Sequence, residues 1–155
     1  MKRRWLPVGV LAGVLFAINV VARLIIRLGF EDDTEAADRV SLAMFAVIGL
    51  ILAGVAFTWG RDRPVARWSA DMAAAVLAAM LLTIFVGPFV SGVTPFSSGA
   101  GAFFAQIWLY AGFTAVGALV GYLVLVALGK DHRSESLRRY AQTRQAKPRR
   151  VIRRR

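Results

Sequence analysis

Four long apolar stretches alternate with short polar segments along the chain. They cover about residues 6–28, 40–59, 70–90 and 102–128. Each reaches the roughly 20 residues that a helix needs to cross a hydrocarbon core of about 30 Å. None shows the alternation of apolar and polar residues that a membrane β-barrel requires. The pattern therefore predicts an all-α fold, a bundle of four transmembrane helices.

The segments between the apolar stretches are too short to hold a folded domain. Residues 60–64 form a tight polar turn, and residues 91–101 are rich in Gly, Ser and Pro. Pro88 indicates that the third helix stops or kinks near its end, because proline lacks the backbone N–H of a regular helix. We divide the chain into a transmembrane domain, residues 1–129, and a basic tail, residues 130–155.

Charge is segregated along this apolar chain. It has 57% hydrophobic residues, yet 20 Lys and Arg residues against 9 Asp and Glu give a formal net charge of +11. All the basic residues except Arg23, Arg27 and Arg39 lie in residues 2–4, in residues 61–67 or in the tail. Cytoplasmic loops carry an excess of Lys and Arg. We therefore predict a multi-pass protein of the cell (plasma or inner) membrane with both termini cytoplasmic.

The first apolar stretch admits a second interpretation. It follows Lys2, Arg3 and Arg4, and a basic start before an apolar run is also typical of a secretory signal peptide. The apolar run continues through Leu28, however, which is longer than the apolar region of most signal peptides. We therefore interpret it as a retained first transmembrane helix.

Small residues recur at a spacing of four in the apolar stretches. Such spacing lets helix backbones approach closely in lipid. The pairs are Gly9 with Gly13, Gly49 with Ala53, Ala74 with Ala78, Ala75 with Ala79, and Gly117 with Gly121. Two interpretations remain open: these faces hold one bundle together, or one of them binds another subunit.

Four polar residues in the apolar stretches are candidates for a pocket. They are Asn19, Arg23, Thr83 and Gln106. Inserting an ionisable group at the centre of a membrane helix costs roughly 2.5–3.5 kcal/mol of free energy. The presence of Arg23 in an apolar stretch therefore suggests a function. If the four converge, they form a polar pocket that opens to the outside and binds a small polar or anionic solute. Alternatively, they hydrogen-bond each other or Asp38 and fix the helix register. Arg27 we interpret as an interfacial anchor.

The tail is the most basic part of the chain. A basic cluster next to a transmembrane helix attracts anionic headgroups, at about 1 kcal/mol per residue near the surface. The candidate contacts to lipid or to a cytoplasmic partner are Arg138, Arg139, Lys147, Arg149, Arg150, Arg153, Arg154 and Arg155. Residues 135–146 are expected to be helical. Nucleic acid would meet the same charge, but nothing beyond charge supports it.

The sequence offers little catalytic chemistry. Cysteine is absent, which excludes disulfides and thiolate metal sites, and the single histidine, His132, lies in the tail. No carboxylate pair or phosphate-binding loop with its lysine occurs in the apolar stretches. We expect no enzymatic activity, cofactor or metal site.

Two functional hypotheses follow. The first is a non-enzymatic accessory or scaffold protein whose bundle packs with another membrane protein and whose basic tail contacts anionic lipid or a cytoplasmic partner. Further copies of the chain, in a homo-oligomer, are the other partner that the sequence allows. The alternative is an oligomeric transporter or channel subunit for a small polar or anionic solute.

Overall fold

The computed structural model describes residues 2–30, 33–94, 96–97 and 99–146, and within these it contains helices and no strand. The helices are α1 (Lys2–Gly29), α2 (Thr34–Asp62), α3 (Val65–Leu81), α4 (Gly87–Val90), α5 (Gly99–Ala127) and α6 (His132–Ala146), with a π-helical segment at Leu82–Val86. Four helical segments are long and apolar enough to cross a membrane. The predicted all-α fold is confirmed for the described residues, as is the prediction of four helical segments with the length and apolar character to span a membrane.

Local chemistry explains where two of the helices begin. Asp33 precedes α2 in an extended conformation, and its Oδ1 accepts a hydrogen bond from the Ala36 N–H at 3.0 Å. Asp131 precedes α6, and its Oδ2 accepts from the Ser134 N–H at 3.2 Å. Gly129, with φ of +61°, lies in the turn between α5 and α6. The predicted tail helix is therefore present as α6, whereas residues 147–155 lie outside the described residues.

Helices α2 and α5 run parallel and touch backbone to backbone. A Cβ atom added to Gly117 would lie 2.7 Å from the Gly49 Cα, and one added to Gly121 would lie 2.6 Å from the Ala53 Cα. Positions 117 and 121 can therefore approach the α2 backbone this closely only because glycine has no Cβ atom. We call these four residues the glycine seam. For this motif the structure supports internal packing, the first of the two interpretations.

The Gly9–Gly13 face of α1 differs from the glycine seam. A Cβ atom on either glycine would meet no described atom within 4 Å. Other residues of α1 pack inward, and Leu15 is fully buried. That this α1 face binds another subunit stays a prediction.

The third of these helical segments, Val65–Val90, contains an irregular turn. The Gly87 N–H donates to the Leu82 carbonyl, five residues earlier, which is the hydrogen bond of a π-helix. In a regular α-helix the ring of Pro88 would clash with the carbonyl of Ile84. The structure therefore widens the helix before Pro88, and the chain stays helical to Val90. Such π turns are frequent at functional sites.

Candidate functional site

The two ends of the bundle differ in character. We call the end with the connections at residues 30–33 and 91–98 the distal end, and the opposite end, with the 63–64 turn and α6, the terminal end. A cavity of about 600 Å³ lies at the distal end between α1, α2 and α5. We call it the distal pocket. Its polar lining residues are Asn19, Arg23, Arg27, Asp38, Ser41, Ser91 and Gln106.

Arg23 is held in place by a buried amide. Its Nε donates to Asn19 Oδ1 at 3.0 Å, and Asn19 Nδ2 in turn donates to the Met44 Sδ at 3.2 Å. Asn19 is only 2% exposed, so its orientation is determined by packing. Among the described residues, none accepts a hydrogen bond from Nη1 or Nη2 of Arg23. The guanidinium is therefore positioned through one nitrogen, and its other two have no acceptor in the described part of the chain.

Gly87 makes the space for this pair of side chains. A Cβ atom on Gly87 would lie 2.9 Å from both Arg23 Nε and Asn19 Oδ1. The π-helical segment thus brings a residue without a side chain against the Asn19–Arg23 hydrogen bond. Sequence reasoning missed Gly87, although a glycine directly before Pro88 was the available signal.

Arg27 joins the end of α1 to the end of α4. Its Nη1 donates to the Val90 carbonyl at 2.9 Å. This carbonyl is at the C-terminal end of α4. The last carbonyl groups of a helix have no N–H partner within the helix and carry partial negative charge. Arg27, which lines the distal pocket, therefore connects α1 to α4 by a hydrogen bond. Its role as an interfacial anchor stays a prediction.

The opposite walls come from α2 and α5. Asp38 and Ser41 lie on α2 and Gln106 lies on α5, and all three line the distal pocket. In the described part of the chain, no ion pair joins Asp38 to Arg23 or Arg27. Among the described hydrogen bonds of the lining residues, Asn19–Met44 and Arg27–Val90 join different helices, whereas the Asn19–Arg23 bond lies within α1. The alternative in which Asp38 fixes the helix register gains no support from these contacts.

Thr83 does not join the other three predicted residues. It is absent from the lining of the distal pocket and is 0% exposed within the π-helical segment. Its Oγ1 has no hydrogen-bond partner among the described residues. The structure therefore brings together Asn19, Arg23 and Gln106 and leaves Thr83 in the packed interior.

An aromatic layer closes the distal pocket towards the middle of the bundle. Phe45 lines the pocket, and its ring stacks on Phe113 with a centroid separation of 5.7 Å. It also meets Tyr110 edge-on at 6.4 Å, and Tyr110 is fully buried. Beyond this layer lie the glycine seam and the fully buried Leu52. Within this single chain, the space between the helices is filled there.

A second, apolar cavity adjoins the distal pocket on the outer face of α5. Its volume is about 580 Å³. We call it the lateral groove, and its lining residues are Ala105, Trp108, Leu109, Gly112, Phe113 and Val116. Ala105 and Leu109 also line the distal pocket. The two cavities therefore meet at these two residues.

The terminal end carries charge pairs of a different kind. Arg63 Nη1 lies 3.3 Å from Asp71 Oδ2, and the Arg63 guanidinium lies 5.0 Å from the centre of the Trp59 ring. Arg61 Nε lies 3.7 Å from Glu135 Oε1, which joins α2 to α6. Of the predicted tail contacts, Arg138 and Arg139 lie on α6, and Lys147, Arg149, Arg150, Arg153, Arg154 and Arg155 lie outside the described residues.

Comparison with known proteins adds no function to this geometry. Within the described residues, no group of three or more His, Asp or Glu side chains is arranged to hold a metal ion. No protein-family model matches the chain, and no curated protein or solved structure matches it either.

Proposed function

We propose that this chain is a non-enzymatic accessory membrane protein whose distal pocket binds an anionic group. The observation that carries the proposal is the state of Arg23, which Asn19 positions inside a cavity while Nη1 and Nη2 have no described acceptor. A guanidinium fixed in this way is suited to carboxylate or phosphate, because its planar fork matches two acceptor oxygens at once.

The charge balance of the lining supports an anionic ligand. Among the described lining residues, Arg23 and Arg27 carry positive charge and Asp38 carries negative charge. Arg23 is half-buried, and electrostatic interactions are stronger where water is partly excluded. Ser41 and Gln106 add neutral groups that donate or accept hydrogen bonds. The pocket therefore combines a net positive charge with polar groups on three walls.

A transporter or channel subunit is the second candidate. The distal pocket itself favours it, because three of the four predicted polar residues line one cavity. The aromatic layer opposes it, because Phe45 and Tyr110 fill the path within one chain. Transport would require a path between copies of the chain. Purification through an N-terminal tag separates the two: recovery of a second membrane protein in stoichiometric amount supports the accessory role, and recovery of a homo-oligomer alone supports transport.

We place both termini in the cytoplasm, so that the distal pocket faces outward from the cell membrane. The support is the distribution of Lys and Arg, all but three of which belong to the terminal end or the tail. Because the chain has no cysteine, single cysteines report topology cleanly. In intact cells a membrane-impermeant maleimide should label Ser97→Cys and spare Ser136→Cys. The reverse result would contradict this orientation.

The tail contributes a contact with anionic lipid or a cytoplasmic partner. Arg138 and Arg139 lie on α6, which the Arg61–Glu135 pair holds near α2. Deletion of residues 147–155 should weaken retention on anionic vesicles at low salt, because each basic residue near the surface contributes about 1 kcal/mol. Unchanged retention would argue against the lipid contact.

The pocket is tested with glycerol phosphate as a soluble probe. The full chain is placed in nanodiscs of phosphatidylcholine, and binding is measured by calorimetry. Arg23→Gln should raise Kd about tenfold, because a hydrogen bond to a charged group contributes about 1.5–3 kcal/mol. Asp38→Asn should lower Kd by a few-fold, because a repulsive charge leaves the lining.

Glu35→Gln is the matched control for the charge change. Glu35 lies near Asp38 on α2, but its partner is Arg39 at 3.1 Å and it does not line the pocket. This variant should leave Kd unchanged. If Arg23→Gln retains both its folded state and the original Kd, the proposed pocket is wrong.

A further inference from the structure

We propose that the ligand of the distal pocket is a membrane phospholipid with an anionic headgroup, whose phosphate lies beside Arg23 and one of whose acyl chains lies in the lateral groove. This inference rests on the proposed anion-binding function and names its ligand. It is drawn from the adjacency of the two cavities, from the change of chemistry between them and from the length of the groove.

The two cavities are adjacent on α5. Ala105 and Leu109 belong to the lining of both. On one side of these residues the lining carries Arg23, Asp38 and Gln106. On the other side every lining residue is apolar or glycine. A molecule that fills both must be charged at one end and apolar at the other.

The groove has the length of one lipid leaflet. It runs along a single face of α5 from Ala105 to Val116. Eleven helical steps of about 1.5 Å make roughly 16 Å. A hydrocarbon core of about 30 Å divides into two leaflets of about half that thickness. An acyl chain that starts at the distal pocket would therefore follow the groove to about the middle of the membrane.

Gly112 forms the floor of the groove. A Cβ atom at this position would meet no described atom within 4 Å. Trp108 and Val116 lie one turn away on either side of it along the same face. Trp108 is 75% exposed, so its ring stands out from α5 as a wall. The groove thus exists because a residue without a side chain lies between two large ones.

Arg23 distinguishes this site from general contact with lipid. Moving an acyl chain from the bilayer to a helix surface brings no hydrophobic gain, because lipid tails are as apolar as leucine. Preference for one lipid must therefore come from its headgroup and from shape. The Asn19–Arg23 pair supplies the contact with the headgroup, and Gly112 at the floor of the groove supplies the shape.

The experiment is a lipid titration of the full-length chain in detergent, read by native mass spectrometry with dioleoyl phosphatidylglycerol as the probe. Gly112→Leu places a side chain in the groove at a position where the new Cβ meets no described atom within 4 Å, and Arg23→Gln removes the headgroup contact. Each should weaken the first bound lipid about tenfold. Ala105→Leu, which narrows the junction of the two cavities, should do the same.

Gly54→Leu is the matched control, because Gly54 is also an exposed helical glycine with no described atom within 4 Å of its Cβ. It should bind the lipid as the original chain does. Glycerol phosphate, measured in parallel, separates the two proposals. If Arg23 governs its binding but lipid binding ignores Gly112→Leu and Ala105→Leu, the lipid inference is wrong and the pocket stands. If neither probe depends on Arg23, both proposals fail.

Discussion

Two helix contacts in this molecule use glycine for opposite purposes. In the glycine seam, Gly117 and Gly121 of α5 meet the backbone of α2 at Gly49 and Ala53. At the distal end, Gly87 instead faces the polar atoms of Asn19 and Arg23 at distances that a Cβ would reduce to 2.9 Å. The first contact excludes side chains between two backbones, whereas the second leaves room for them.

This difference shows how one residue type serves both the frame of the molecule, meaning the packed helices, and its candidate site, the distal pocket. Backbone contact in the seam holds α2 and α5 parallel without any polar group, through the close packing on which helices in lipid depend. Gly87 has no side chain, which leaves room for the Asn19 amide to position the Arg23 guanidinium. We therefore expect substitutions in the seam to act on the stability of the bundle, and substitutions at Gly87 to act on the distal pocket.

The largest expected effect comes from breaking the seam. Gly117→Ala should lower the free energy of unfolding by roughly 1–3 kcal/mol, because overpacking forces the backbones apart. Its control is Gly112→Ala on the same helix, where the new methyl group meets open space. That variant should be neutral or slightly stabilising, since alanine favours helix by about 1 kcal/mol over glycine. Reversible unfolding in mixed detergent measures both, and equal effects would contradict the seam.

A smaller effect on stability, but a clear one on binding, is expected at Gly87. Gly87→Ala should displace the Asn19–Arg23 pair and raise the Kd for glycerol phosphate about tenfold, a change of 1.4 kcal/mol. The loss of one hydrogen bond should lower the free energy of unfolding by only about 1 kcal/mol. If stability fell as in Gly117→Ala while binding was retained, Gly87 would belong to the frame and not to the site.

The smallest effect is expected at Thr83. Its hydroxyl is buried without a described partner, so Thr83→Val should stabilise the bundle by up to about 1 kcal/mol, because a desolvated polar group is removed. Binding of glycerol phosphate should not change, since Thr83 does not line the distal pocket. Weaker binding in this variant would show that Thr83 contributes to the distal pocket, and the frame and the pocket would then share a residue.

Much of the fold could be predicted from local pattern. Apolar length alone identified four membrane-spanning segments, and the spacing of Gly117 and Gly121 identified a face for close packing. The site was less predictable. Asn19 and Arg23 share a helix face by spacing, and their hydrogen bond follows from it. Gln106 joined them only because α5 lies across the pocket, and Thr83, of similar polarity and depth, was turned into the interior.

The sequence by itself determined which segments are apolar enough to enter a membrane, because that depends on composition and length. It also determined which residues can touch within one helix, because helical spacing is a local property. Only the tertiary structure decided which helices are neighbours, that Gly87 lies against Asn19 and Arg23, and that the distal pocket adjoins the lateral groove. These features depend on how separate helices rotate and approach one another, and a hydropathy pattern does not encode the partner of each face.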